Sequence, residues 1–250
     1  MKLEVLSLRT ARGARVAALD YEPRRARNVA LAVGHGYSSS KHNLDALCAF
    51  LASHGYRIVS LDFPGHKLGA SGGRLESVDD LTSATAAVVA YIRERYAGDV
   101  YTLGHSMGAT TALRACAADS GIAGAISIAS GYGRPSALGA LGALGARVTV
   151  DLRSSYVDGL TLQEVVAQTE PLLDAALARL AGRPVLYVAA SRDGIVSPKG
   201  VRELFERAPD PKTLVTVESD HTSAGDNARV AVLAWLNERH PRDPGAGANL

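Results

Sequence analysis

Gly104-His105-Ser106-Met107-Gly108 constrains this chain more than any other segment, because of what stands on either side of it. Asp99–Leu103 before it is apolar, β-branched and aromatic, and reads as a short buried strand. Ala109–Ala118 after it is alanine-rich and reads as a helix. A Gly-x-Ser-x-Gly turn between strand and helix is sharp enough to strain the backbone of its central serine. The flanking glycines leave room for strand and helix to approach. The hydroxyl is thereby lifted clear of the sheet, at a helix N-terminus whose dipole favours developing negative charge.

The chain carries its own control. Gly69-Ala70-Ser71-Gly72-Gly73 fits the same pattern, but no strand precedes it, and Arg74–Asp80 reads as a loop leading into a helix cap. Among 25 glycines one accidental match is unremarkable, so Ser71 is read as a loop residue and Ser106 as the candidate nucleophile.

Composition narrows the class. A length of 250 residues suits one large domain, or one domain with an insertion, and 47% hydrophobic residues suffice for a sizeable core. The formal net charge of +2 argues against nucleic acid or a membrane surface as partner. Arg24, Arg25 and Arg27 form the densest basic spot and read as a solvated loop. No apolar run approaches the ~18 residues of a membrane-spanning helix, so no integral membrane segment is expected. Met1–Arg9 is too short and too charged for a secretory signal. Cys48 and Cys116 lie in predicted helices and read as buried reduced thiols, which points to a cytoplasmic protein.

Apolar strands alternate with helices along most of the chain. Leu3–Leu8 and Ala14–Asp20 read as an antiparallel hairpin. Val29–Val33, Arg57–Leu61, Val100–Leu103, Ala123–Ala129, Pro184–Ala189 and Lys212–Val217 read as further strands. Helical patterns cover Lys41–Ser53, Ser77–Tyr96, Met107–Ala118, Pro198–Arg207 and Ala224–Arg239. The alternation predicts an α/β fold with a mostly parallel sheet and helices on both faces. Residues 134–181 break the rhythm. Thr161–Ala181 has apolar residues at helical spacing with Pro171 interrupting, and the segment is read as a small helical cap over the C-terminal edge of the sheet, where ligands bind in open α/β sheets, although each of its leucines fits equally a helix buried against the core. The core would then comprise residues 1–133 and 182–240, with 241–250 a disordered tail.

Serine is a weak nucleophile until a base takes its proton, and that base needs a partner to fix its tautomer. Both should lie in loops after strands at the edge that carries Ser106. Asp193 follows the apolar run Val185–Ala190, and His221 follows Leu214–Val217. The order Ser106, Asp193, His221 is the one such a sheet requires. Asp220 neighbours His221, but adjacency in sequence does not aim a carboxylate at the imidazole. His105 is expected to point away from the serine. His42, His54, His66 and His240 have no strand-end context, and no two histidines show metal-ligand spacing. Backbone amides make good oxyanion donors because they need no reorganisation, and Met107, which follows the serine, supplies one.

Gly104–Gly108, Ser191–Val196 and Ser219–Thr222 together resemble the α/β-hydrolase family, in particular small bacterial carboxylesterases and monoacylglycerol-lipase-like serine hydrolases. The resemblance covers nearly all of residues 25–240. It implies Ser106 as nucleophile, Asp193 as acid and His221 as general base, without cofactor or metal. His35-Gly36-Tyr37 is similar to the family's oxyanion loop, which makes the Tyr37 amide the second donor and His35 a structural residue. Asp62–His66 is similar to the family's Asp-x-x-Gly-x-Gly loop, except that Lys67-Leu68 stand where a glycine is usual. The expected reaction is hydrolysis of small carboxylic esters of short to medium acyl length through an acyl-serine. Thioester, small-peptide, C–C bond or perhydrolase chemistry on the same residues, and a non-catalytic receptor on the same fold, stay open.

Overall fold

A computed structural model describes residues 1–131 and 153–241. The described strands are β1 (Lys2–Arg9), β2 (Arg15–Glu22), β3 (Val29–Gly34), β4 (Arg57–Leu61), β5 (Asp99–His105), β6 (Gly124–Ile128), β7 (Val185–Ala190) and β8 (Lys212–Val217). They form one sheet in the order β1-β2-β4-β3-β5-β6-β7-β8. β1 and β2 pair as the expected hairpin, β2 pairs antiparallel with β4, and every other neighbour is parallel.

The described helices are α1 (Asp45–Ser53), α2 (Val78–Arg95), α3 (Met107–Ala118), α4 (Leu162–Ala178), α5 (Pro198–Arg207) and α6 (Ala224–Arg239). Because strand side chains alternate, each strand serves two cores. On β3, Val29, Leu31 and Val33 face α1 and α6, while Ala30 and Ala32 face the side that carries α2–α5. β5 and β7 divide in the same way, with Tyr101, Leu103, Leu186 and Val188 toward α1 and α6, and Val100, Val185 and Tyr187 opposite. This is the mostly parallel α/β sheet, covered on both faces, that the alternation predicts.

Four features depart from the sequence reading. Residues Lys41–Leu44 form a 3₁₀ turn before α1, pinned where the Lys41 amide donates to Asp62 Oδ1 at 2.7 Å. Pro171 does not interrupt α4. It lies on the exposed side, where water can take the carbonyl it orphans, while Val165, Val166, Leu173 and Leu177 bury the opposite face on both sides of it. Arg27 is no part of a solvated loop: its guanidinium donates to the Tyr56 hydroxyl (2.9 Å) and to the carbonyls of His240 (2.6 Å) and His54 (3.2 Å), clamping the end of α6. Arg24 and Arg25 are exposed as expected.

The fourth departure concerns the insertion at 134–181. Its residues 134–152 lie outside the described residues, as do 242–250 of the expected tail. The described remainder divides in two. α4 packs against α3 and α2, with Val165, Leu173 and Leu177 in their shared core, so it belongs to the helical layer of that face. Residues 153–160 instead form a strap tied to the loop after β4. Asp158 N donates to Gly65 O at 2.8 Å, Leu75 N to Asp158 O at 2.9 Å, and Leu160 N to Leu75 O at 2.8 Å. Lys67, which replaces the expected glycine, holds the strap twice, from its amide to Tyr156 O (2.9 Å) and from its ammonium to Ser155 O (2.8 Å).

At the centre of the sheet the backbones of β3, β5 and α3 touch. A Cβ on Gly104 would collide with the carbonyl of Gly108, and one on Gly108 with the carbonyl of Gly34. Neither neighbour is a flexible side chain, so neither can yield cheaply. Gly104→Ala and Gly108→Ala should each therefore cost about 3 kcal/mol or more in urea unfolding. Gly72→Ala, whose Cβ would rest 3.6 Å from Arg15 Cβ, should change stability by less than about 1 kcal/mol.

Candidate active site

The strand ends converge at the C-terminal edge of the sheet. β5 runs into Ser106, whose backbone (φ 55°, ψ −116°) lies in the left-handed region that a residue with a Cβ enters only under constraint. Its amide donates to Ile128 O of β6 at 2.9 Å, and α3 begins at the next residue. The loop after β7 brings Asp193, and the loop after β8 brings His221.

These three side chains form a continuous chain of hydrogen bonds. His221 Nε2 lies 3.0 Å from Ser106 Oγ, and His221 Nδ1 lies 2.7 Å from Asp193 Oδ2. The other carboxylate oxygen of Asp193 accepts from the amides of Ile195 (2.8 Å) and Val196 (2.7 Å), so both oxygens are held. The Asp193 side chain is 1% exposed and that of His221 13%, which leaves the imidazole edge as the accessible part of the pair. With Nδ1–H donated to Asp193, Nε2 carries the lone pair that can accept a proton from Ser106.

Asp220 faces away from this chain. Its carboxylate accepts from the Ser223 amide at 2.8 Å, a contact that holds its pKa below the usual carboxylate range. Ser71 is a loop strut: its hydroxyl donates to Asp62 O at 2.6 Å and accepts from the Ala17 amide at 2.8 Å. His42 and His54 lie near α1, His240 closes α6, and none belongs to the cluster at Ser106.

Of the two candidate oxyanion donors, Met107 follows the serine directly and Tyr37 follows Gly36. Met107 is the first residue of α3, where the N–H has no acceptor within the helix. Gly36, the residue before Tyr37, runs so close that a Cβ there would stand 3.4 Å from Ser106 Cβ. The Tyr37 hydroxyl donates to Leu160 O at 2.9 Å, so this half-buried ring is anchored to the strap.

That loop is locked from below by His35. Its Nε2 accepts from the Phe63 amide at 3.0 Å, which leaves Nδ1–H to donate to Gly36 O at 2.7 Å. Asp62 is fully buried and accepts from the Lys41 ammonium (2.6 Å), the Lys41 amide (2.7 Å) and the Ala70 amide (2.8 Å). The loops after β3 and β4 are thus joined by buried polar contacts. Sequence reasoning reached His35 and Asp62 as loop residues, but nothing in it pointed to Lys41.

It also missed a contact of His105. His105 Nε2 meets the carbonyl of His221 at 2.8 Å, and the two rings lie 4.8 Å apart. Among the described residues no three His, Cys, Asp or Glu side chains are grouped to hold a metal ion, and no helix is long and apolar enough to cross a membrane.

Burial, with the nearby His66 second, depresses the pKa of His35 to about 3, and burial lowers that of His66 as well. Both rings are neutral in the folded protein at pH 7, whereas an unfolded chain takes up protons as the pH falls through about 6.5. The unfolded state then binds more protons than the folded one, so stability must fall as the pH drops from about 6.5 toward 3. In urea unfolding across pH 4–8, His35→Asn should be less stable throughout, with an acid slope shallower than wild type by up to one proton. An unchanged slope would show that His35 does not supply that linkage.

The fold has counterparts among known proteins. The sequence model of the family described as "Serine aminopeptidase, S33" matches residues 25–172. No curated protein sequence matches the chain. Among solved structures, the Pyrococcus furiosus esterase Pf2001 superposes with a TM-score of 0.75 at 18% identity, covering 96% of this chain and 91% of that one. Est1E from Butyrivibrio proteoclasticus, determined with ferulic acid bound, gives a TM-score of 0.74 at 19% identity, covering 95% and 100%. The esterase domain of a Rhodothermus marinus protein gives 0.70 at 19% identity, covering 95% and 99%. With more than half of its length matched, this chain belongs to the serine aminopeptidase (S33) family of α/β hydrolases.

Proposed function

We propose that this hydrolase cleaves carboxylic esters of short to medium acyl chain through an acyl-serine intermediate. The observation that carries the proposal is the unbroken chain from Ser106 Oγ through His221 to a buried, doubly held Asp193. Ser106 Oγ attacks the ester carbonyl carbon as its proton passes to His221 Nε2. Asp193 keeps the imidazole in the accepting tautomer and stabilises the imidazolium that forms. The amides of Met107 and Tyr37 receive the tetrahedral oxyanion. The imidazolium then gives its proton to the leaving alkoxide oxygen, and the alcohol departs. Water attacks the acyl-serine by the same route, releasing the acid and restoring Ser106.

Several observations support an ester of modest size. The strap at 153–160 is tied both to Tyr37 and to the loop after β4, and in this reading it closes over the site as the remaining part of the cap. Two proteins of similar fold are esterases by name, and a third, Est1E, has ferulic acid bound. The buried thiols suit a cytoplasmic enzyme: burial pushes Cys116 up to about 11 and Cys48 higher still. A second reading, an aminopeptidase, is favoured by the description of the matching family.

Kinetics separate these outcomes. On a 4-nitrophenyl ester series from acetate to palmitate, turnover should peak at or below the octanoate. Ser106→Ala should lower kcat by on the order of 10⁴-fold or more, and Asp193→Asn by about 10³–10⁴-fold. Ser71→Ala should keep kcat while costing about 1–2 kcal/mol of stability, because the Ala17 amide loses its acceptor. Inactivity of Ser71→Ala with an active Ser106→Ala would overturn the assignment. Faster turnover of amino-acid 4-nitroanilides than of any ester would favour the aminopeptidase.

A further inference from the structure

We infer that His105, the residue just before the nucleophile, is a positioning residue that sets the reach of His221 toward Ser106. The inference rests on the ester-hydrolase reading above. His221 is gripped from two consecutive residues of one rigid element. Its imidazole meets Ser106 Oγ at 3.0 Å, and its carbonyl accepts from His105 Nε2–H at 2.8 Å. Together with the covalent backbone these two contacts close a ring that runs from Ser106 through the His221 side chain to its carbonyl, then through the His105 ring back to Ser106.

The rest of the His221 loop gives the base weaker guidance. Ser219 O accepts from the Arg192 amide at 2.9 Å, and the Ser219 hydroxyl accepts from Asn227 at 2.9 Å. Both contacts hold the loop two residues upstream of the base. Asp220 caps its own turn through Ser223 at 2.8 Å. The His105 contact acts on the base residue itself. It comes from a side chain only 4% exposed, at the end of β5, which is hydrogen-bonded to strands on both sides. His105 therefore ties the loop-borne partner of the pair to the strand-borne one. Displacing a base by about 1 Å can cost on the order of 10²-fold in rate, so a contact that fixes its carbonyl has a catalytic consequence without touching substrate.

The test compares His105→Phe, His105→Gln and His105→Asn with wild type and Ser106→Ala. Phenylalanine keeps the ring volume without a donor, glutamine restores an N–H near the original position, and asparagine is too short to reach. The readouts are kcat and KM on the best 4-nitrophenyl ester, the rate of covalent labelling by a fluorophosphonate, and the melting temperature. We expect His105→Phe and His105→Asn to lower kcat and the labelling rate together by about 10–100-fold, with KM within about twofold of wild type. His105→Gln should recover to within about fivefold of wild type. Wild-type kcat in a folded His105→Phe or His105→Asn, or a folded His105→Gln as impaired as His105→Asn, overturns the inference. Should His105→Phe fail to fold, the Gln–Asn comparison still decides. Ester turnover retained in Ser106→Ala would instead overturn the underlying reading, so the two failures are distinguishable.

Discussion

The meeting of three backbones at the centre of the sheet governs the rest of this structure. Gly34 on β3 and the pair Gly104 and Gly108 around the turn leave no room for side chains, and α3 therefore starts hard against the ends of β3 and β5. A strand can pass into a helix in so little space only if the residue between them adopts a backbone that chains normally avoid, and Ser106 does so at φ 55°. Such a conformation costs of the order of 1–3 kcal/mol and persists only where the surroundings over-determine it. Here they do, since every residue of α3 from Met107 to Cys116 is buried. The result is a hydroxyl held clear of the sheet, with an unpaired helix N–H beside it and His105 turned toward the same partner as Ser106.

A second layer of constraint comes from buried polar contacts beneath the loops. His35 joins the loop after β3 to Phe63 in the loop after β4, and Asp62 draws Lys41 and Ala70 toward the same point. A buried ion pair such as Lys41–Asp62 adds little net stability, because desolvation offsets most of the attraction. Its effect is positional: losing either partner would leave a buried charge, so the two loops stay in register. Lys67 extends the arrangement outward by holding the strap from both its amide and its ammonium. The Tyr37 backbone is thus held in the loop that His35 locks, and its ring by the strap.

Much of this was legible in the chain itself, for physical reasons that can be named. Short apolar runs separated by helical patterns can bury both faces of a sheet in few ways, so the hairpin, the mostly parallel sheet and the helices on both faces followed from periodicity. Ser106, Asp193 and His221 stood out because each follows a strand run, and the sheet brings such positions to one edge. What escaped reading depends on tertiary context. Pro171 reads as a helix break, but packing on the opposite face carries α4 through it. The leucines of that helix read equally well as cap or core, and only their contacts with α2 and α3 place them. The contact of His105 with the His221 carbonyl escaped reading because it joins residues far apart in the chain. Lys41 carried no signal, since a lysine beside a histidine and an asparagine looks like any solvated turn.

The central claim is that Ser106 carries the acyl group during turnover, and intact-protein mass followed by peptide mapping tests it most directly. The protein would be mixed with a short-chain 4-nitrophenyl ester and quenched in acid during the first turnovers. The account predicts an added acyl mass on the peptide containing Ser106, absent in Asp193→Asn quenched at the same time and present at longer times. An acyl adduct on Ser71 or on another side chain, or steady turnover with no adduct on any peptide when deacylation is the slow step, would contradict it.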